Sequence, residues 1–176
     1  MSKLFALVLM FVLSSAAPAT VQRWNPKAPE NNQVLPGFGL ANVESVLGAI
    51  GARYQRSGTA AKPSLLVTFP NRRKAVLTFG ACNADRSACK SLNMQSNWMR
   101  IANSTPERTA AAVQRFNQRY SFGKAYVSAD GRPGMQRYLT ADYGYIRGNL
   151  AVNLLVFANQ VDRFARDVLQ PLEARR

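Results

Sequence analysis

SLLVTFPNRRKAVLTFG, residues 64–80, contains two short runs in which apolar residues alternate with polar ones. Pro70 and Asn71 lie between the runs and are residues typical of a turn. Alternation with a period of two predicts strands buried on one face only, and a short turn joins such strands antiparallel. The predicted core positions are Leu65, Val67 and Phe69 on the first strand and Ala75, Leu77 and Phe79 on the second. The stretch therefore predicts a hairpin within an antiparallel sheet.

The residues on either side of this hairpin predict three further strands and three helices. Strands are expected at 92–101, 124–129 and 135–141, and helices at 41–54, after the capping sequence 104–107, and at 146–168. Asn42 is expected to cap the first helix, and Pro171 to end the last one. The order αβββ-α-ββ-α predicts the α+β class: a single antiparallel sheet of about five strands with helices packed on it.

The N-terminal segment has the three parts of a secretory signal peptide. Lys3 precedes the apolar run Leu4–Leu13, and Ala17-Pro18-Ala19 provides the small residues that signal peptidase requires. We expect cleavage after Ala19, so that residues 1–19 are the signal peptide and the protein is periplasmic or secreted. A buried N-terminal helix and an uncleaved anchor are the alternatives.

The remaining chain shows no internal repeat and no second linker. Residues 20–39 are rich in Pro, Asn and Gly and are expected to form an extended lead-in. Residues 40–170 are expected to form one domain, and residues 171–176 a basic tail. The last helix is too short and too striped to span a bilayer, so no transmembrane segment is expected in the mature chain.

Both cysteines lie in CNADRSAC, residues 82–89, where they could form a redox site, half of a metal site or a structural disulfide. A redox pair usually has two residues between its cysteines, whereas six lie here. A zinc site needs about four Cys or His ligands, and the chain has no histidine. In an oxidising compartment, a Cys82–Cys89 disulfide is therefore expected, stabilising the fold by about 2.5 kcal/mol in the chain-entropy model.

The chain offers little for catalysis. Without histidine it lacks the commonest general base. Its nine acidic residues fall in helix first turns, loops and helix flanks, where nothing raises the pKa of one of them for acid catalysis. We predict no catalytic residue, no metal ligand and no cofactor.

The charge is strongly positive, with 23 basic against nine acidic residues. Two basic clusters are candidates for polyanion binding: Arg72, Arg73 and Lys74 in the hairpin turn, and Arg115 and Arg119 on the second helix. A set of tyrosines near arginines could also bind single strands by stacking: Tyr138, Tyr143 and Tyr145 near Arg137 and Arg147. A solvated basic rim with tyrosines packed at the sheet edge is the alternative.

Several stretches resemble the YbjN family of bacterial sensory transduction regulators: VESVLGAIGARY, AVLTFGAC, RFNQRYSFGKAYVSADGRPGMQRYLTADYG and NLLVFANQVDRF. The resemblance covers residues 40–169. It implies a fold similar to type III secretion chaperones, and it provides no catalytic motif.

We therefore predict a non-catalytic, exported domain that binds a protein partner in a regulatory or chaperone-like role, with a homodimer among the partners that the resemblance allows. The alternative is a basic envelope protein that binds polyanions, either nucleic acid or lipopolysaccharide.

Overall fold

The computed structural model describes residues 24–85 and 87–174. These residues form eight strands, named in chain order: β1 Val34–Leu35, β2 Arg53–Gly58, β3 Pro63–Thr68, β4 Lys74–Cys82, β5 Cys89–Asn97, β6 Lys124–Val127, β7 Pro133–Thr140 and β8 Tyr145–Ile146. The helices are α1 Leu40–Ala49, α2 Pro106–Arg119, α3 Arg147–Phe164 and α4 Gln170–Glu173, with a 3₁₀ turn at Pro29–Asn32 and a π turn at Ala165–Leu169. The predicted signal peptide, with its cleavage after Ala19, lies outside the described residues.

Six strands form one antiparallel sheet in the order β2-β3-β4-β5-β7-β6. The predicted hairpin is confirmed as β3 and β4, in which Leu65 lies opposite Leu77 and Val67 opposite Ala75. The α+β class is therefore confirmed, and the main sheet has six strands rather than about five. Strands β1 and β8 form a separate two-stranded sheet.

The additional strand is β2, which was expected to belong to the first helix and the following loop. Helix α1 begins after Gly39, so Asn42 does not cap it, and it ends at Ala49. Gly51 follows with a φ of 73°, a left-handed conformation that glycine adopts without strain. Tyr54 consequently lies in β2 and not on the helix. All six residues of β2 are exposed, so this edge strand has no alternation by which it could be recognised.

The helices pack on one face of the sheet and enclose the core with it. Sheet residues on this face, such as Leu77 and Met94, are fully buried. The predicted apolar stripe of α3 is confirmed at Leu150, Leu154, Phe157, Val161 and Phe164, which are all buried. The Phe164 ring lies 5.1 Å from that of Trp98 and 5.0 Å from that of Phe116, measured between centroids. These contacts join α3 to α2 and to the segment after β5.

Two predicted helix boundaries had different outcomes. Helix α2 begins at Pro106 as the capping sequence indicated, and the Thr105 hydroxyl accepts a hydrogen bond from the Arg108 N–H at 3.3 Å. The predicted end of the last helix at Pro171 is wrong, because the chain passes through the π turn and continues as α4 to Glu173. Pro171 thereby falls at the start of a new helical segment, where its missing N–H is tolerated.

The described part of the lead-in packs against the domain. Leu35 and Phe38 are buried, and the Phe38 N–H donates to the Cys89 carbonyl at 2.8 Å. Gly39 passes so close to the β4–β5 connection that a Cβ there would lie 2.1 Å from the Ser87 carbonyl oxygen. The lead-in and the cysteine segment therefore hold each other in place.

Candidate binding face of the sheet

The second face of the main sheet is open to solvent in the part of the chain that the structure describes. Its residues alternate with the buried ones, and cross-strand partners share a face. We call this surface the open face. It consists of Arg53, Gln55 and Ser57 on β2; Ser64, Leu66 and Thr68 on β3; Lys74, Val76, Thr78 and Gly80 on β4; Ser91, Asn93, Gln95 and Asn97 on β5; Gly134, Gln136, Tyr138 and Thr140 on β7; and Lys124 and Tyr126 on β6.

The charge of the open face is entirely positive. All nine acidic residues of the chain lie in the described segments, and none is on this face. Its charged residues are Arg53, Lys74 and Lys124, and none of these three forms an ion pair among the described residues. Most other positions are Ser, Thr, Asn or Gln, which can both donate and accept hydrogen bonds.

A depression of about 480 Å³ lies on the open face across β2 to β5. Leu66 is 45% exposed at its centre and lies opposite Val76 on β4. Arg53 and Lys74 are at its edge. A second depression of about 570 Å³ adjoins it and extends past Ser64 towards Cys82. The surface is therefore concave, with an apolar centre and cations beside it.

Tyr126 lies along the open face rather than projecting from it. Its hydroxyl donates to Asn97 Oδ1 at 2.6 Å and accepts from the side-chain amide of Gln95. Both partners are on β5, two strands away, so the ring must cross β7 to reach them. It crosses at Gly134, where a Cβ would lie 2.4 Å from the ring carbon Cζ. Tyr138 on β7 is 62% exposed on the same face.

The predicted pair Cys82 and Cys89 lies at the end of β4 and the beginning of β5, where the two residues face each other and form a disulfide with an S–S distance of 2.03 Å. Asp85 organises the connection, since its carboxylate accepts from the Ser87 N–H at 3.0 Å and from the Ser87 hydroxyl at 2.8 Å. These hydrogen bonds hold the pKa of Asp85 below its ordinary value. The pair therefore closes a structured loop.

The predicted basic residues do not form one site. Arg72 is exposed and has a φ of 64°, whereas Arg73 forms an ion pair with Asp162 of α3 at 2.8 Å. Lys74, the first residue of β4, belongs to the open face. Arg115 and Arg119 line a cleft of about 350 Å³ between α2 and the π turn. The predicted basic residues therefore lie in three separate places: the hairpin turn, the open face and α2.

The predicted tyrosine and arginine set is divided as well. Of its members, Tyr138 is on the open face and Tyr143 is fully exposed in the loop after β7. Tyr145 packs on Phe38 at 5.0 Å, and burial raises its pKa. Arg137 is on the helix side, with its guanidinium 3.7 Å from the Phe122 ring centroid.

Arg147, the last member of this set, is buried, with 9% exposure. Its guanidinium donates hydrogen bonds to Asn31 and Ser45 at 3.4 and 3.3 Å. A single site built from these tyrosines and arginines is therefore not formed.

The acidic residues are dispersed. Three of them form four ion pairs: Glu44 with Arg56, Asp130 with Arg132, and Asp162 with both Arg73 and Arg166. Within residues 24–85 and 87–174, no three acidic, cysteine or histidine side chains come together as they would around a metal ion. In the same residues, no helix has both the length and the apolar character needed to cross a bilayer.

These features define a small α+β domain with one sheet face covered by helices and one open face. Residues 40–170 match the YbjN family, described as "Putative bacterial sensory transduction regulator", and the chain belongs to this family. The resemblance drawn from the sequence motifs is therefore confirmed, and the chain carries a regulatory domain. No curated protein and no solved structure matches the chain.

Proposed function

We propose that this chain is an exported, non-catalytic regulatory domain that binds a protein partner on the open face of its sheet. The observation that carries the proposal is the concave, acid-free surface with exposed Leu66 at its centre. An apolar centre with a polar rim is the usual composition of a protein interface. The family description as a regulator supports a partner that is itself a protein.

The partner's chemistry follows from the charges beside the depression. Arg53 and Lys74 have no acidic neighbour on the open face, so acidic side chains in the partner would be attracted to them. A second copy of this chain would present the same cations and would be repelled across a face-to-face contact. The favoured partner is therefore a different protein with an acidic, partly apolar segment, and a homodimer requires another surface.

Export is proposed from the N-terminal signal and is compatible with the disulfide, since disulfides persist in oxidising compartments. Expression of the whole gene in a Gram-negative bacterium tests it by mass spectrometry of the periplasmic fraction. The expected mass is that of a chain beginning at Thr20, without free thiols. Recovery of the uncleaved chain in the cytoplasm would contradict export. It would not decide whether the open face binds a partner, which is tested separately.

Partner binding is tested by capture from envelope extract with two matched variants. Leu66→Glu places a negative charge at the centre of the depression, whereas Val152→Glu places one on α3, where Val152 is 44% exposed against 45% for Leu66. We expect Leu66→Glu to lose the captured protein and Val152→Glu to retain it, with unchanged thermal unfolding for both. Retention by both variants would exclude the open face as the binding surface.

Polyanion binding is the second candidate function, and the unpaired cations favour it. Arg72, Arg115 and Arg119 are exposed and, in the described segments, form no ion pair, like the three cations of the open face. Elution from immobilised heparin tests this candidate. We expect Arg115→Ala with Arg119→Ala, and separately Arg72→Ala with Lys74→Ala, to elute at lower salt. Elution of the wild-type protein at low salt would reject it.

A further inference from the structure

We propose that the β5–β7–β6 half of the open face binds single-stranded nucleic acid. In this arrangement, Tyr126 and Tyr138 stack on bases and Lys124 contacts the sugar–phosphate backbone between them. The inference rests on the second candidate function, polyanion binding, and gives it a ligand class and a set of residues.

Tyr126 is the first stacking surface, and its orientation is fixed by its hydrogen bonds to Asn97 and Gln95 and by its passage over Gly134. A ring that starts on β6, crosses Gly134 and reaches Asn97 on β5 must lie nearly parallel to the sheet. One side of the ring therefore rests on the backbone and the other faces outward. A ring held in this way loses little conformational freedom when a base stacks on it, and aromatic rings on a sheet are the platform that single-strand readers use.

Tyr138 and Lys124 complete a row along the edge of the sheet. Tyr138 is four residues beyond Gly134 on β7, a distance of about 13 Å along the strand. Lys124 on β6 is opposite Gln136, midway between the two rings. The row thus presents a ring, a cation and a second ring in order, which fits two bases with backbone phosphate between them.

The surroundings favour a nucleic acid over other ligands. Gln95, Gln136 and Asn93 have side-chain amides on the same face, and amides can pair with the donors and acceptors of unpaired base edges. No carboxylate on the open face repels phosphate. A duplex keeps its bases stacked away from the rings, and an uncharged glycan, which can also lie on tyrosine, has no phosphate for Lys124.

The experiment is fluorescence anisotropy with a labelled oligothymidine of about 15 nucleotides, within the usual range of binding-site sizes. A duplex of the same length and an uncharged chitin oligosaccharide serve as comparison ligands. We expect Tyr138→Ala to weaken binding of the single strand by about fivefold to a hundredfold. Tyr143→Ala is the matched control, because Tyr143 is fully exposed but off this face, and it should bind as the wild type does.

The cation is tested through the salt dependence. Lys124→Ala should lower the slope of log K against log salt by about 0.7, the value for one phosphate contact to a single strand. Lys27→Ala, an exposed lysine outside the sheet, should leave the slope unchanged.

Several outcomes would overturn the inference: equal affinity for duplex and single strand, unchanged binding by Tyr138→Ala, or displacement by the chitin oligosaccharide at low salt. If one of these results is obtained but the protein still binds heparin, polyanion binding is retained and only the proposed single-strand site is rejected. If neither heparin nor the oligonucleotide is bound, both proposals fail.

Discussion

Replacement of Gly134 by alanine tests the geometry on which the stacking site depends. The added Cβ would lie 2.4 Å from Tyr126 Cζ and 2.7 Å from Asn97 Oδ1, which is closer than carbon and oxygen atoms can approach. Gly134 is not among the residues with positive φ, so the alanine itself is not strained by the backbone. The ring of Tyr126 must therefore move away from the sheet.

The cost follows from the contacts that the ring would lose. Its hydroxyl makes two hydrogen bonds, to Asn97 and to Gln95, and each is worth about 1 kcal/mol net. The reduced entropy of the unfolded chain offsets this loss by about 0.4 to 1 kcal/mol. We expect Gly134→Ala to lower the free energy of unfolding by about 1 to 1.5 kcal/mol and to weaken oligothymidine binding about as much as Tyr126→Ala does.

Urea denaturation followed by circular dichroism gives the free energy of unfolding, and anisotropy gives the affinity. Gly48→Ala is the matched control, because a Cβ on this exposed helical glycine meets nothing within 4 Å. It should stabilise the protein by about 1 kcal/mol and leave binding unchanged. If Gly134→Ala is as stable as Gly48→Ala and binds as the wild type does, the ring of Tyr126 does not cross the sheet at Gly134.

Three further predictions concern the connections and the turn. Replacing both Cys82 and Cys89 by serine should lower the free energy of unfolding by about 2.5 kcal/mol, measured in urea; an unchanged midpoint on reduction of the wild type would contradict it. Arg72→Gly should stabilise by about 1 kcal/mol in the same assay, because glycine adopts a φ of 64° without steric cost, whereas a loss of stability would argue against the left-handed turn. The pKa of Asp85 is lowered by the Ser87 hydrogen bonds, so the stability that they provide is present above the ordinary pKa and is lost as the pH falls through the lowered one. Asp85→Asn should therefore flatten the acid limb of a stability-against-pH curve, and an unaltered limb would show that Asp85 has no part in it.

Elements with one buried face could be predicted from the sequence, because their residues carry the period of the element. The β3–β4 hairpin and the stripe of α3 are of this kind, and each was found close to its true bounds. Strand β2 could not be found, since an edge strand exposed along its whole length leaves no apolar trace. The π turn before Pro171 was missed for another reason: Val168 and Leu169 are buried as the residues of the α3 stripe are, so the apolar pattern alone does not mark the change of helix type.

The open face could not be predicted because it depends on strand order. Tyr126 and Asn97 are 29 residues apart in sequence and meet only because β7 inserts between β5 and β6. Two neighbouring charged residues of α3 show the same dependence on tertiary packing. Asp162 and Arg163 are consecutive and lie about 100° apart around the helix, yet the first meets Arg73 of the hairpin turn and the second meets Tyr120 at the end of α2. Tertiary packing therefore gives neighbouring charged residues different partners, which their order in the sequence does not indicate.

Among the described residues, the ion pairs lie away from the open face. The protein has more than twice as many basic as acidic residues, so most of its cations must lack an acidic partner. On the helix side, however, acids are held against arginines: Glu44 against Arg56 at 2.6 Å, and Asp162 against both Arg73 and Arg166. Glu44 thereby joins α1 to the sheet edge, and Asp162 joins α3 to the hairpin turn. Three unpaired cations, Arg53, Lys74 and Lys124, lie where no helix covers the sheet, so an incoming anionic partner meets them without breaking an internal pair.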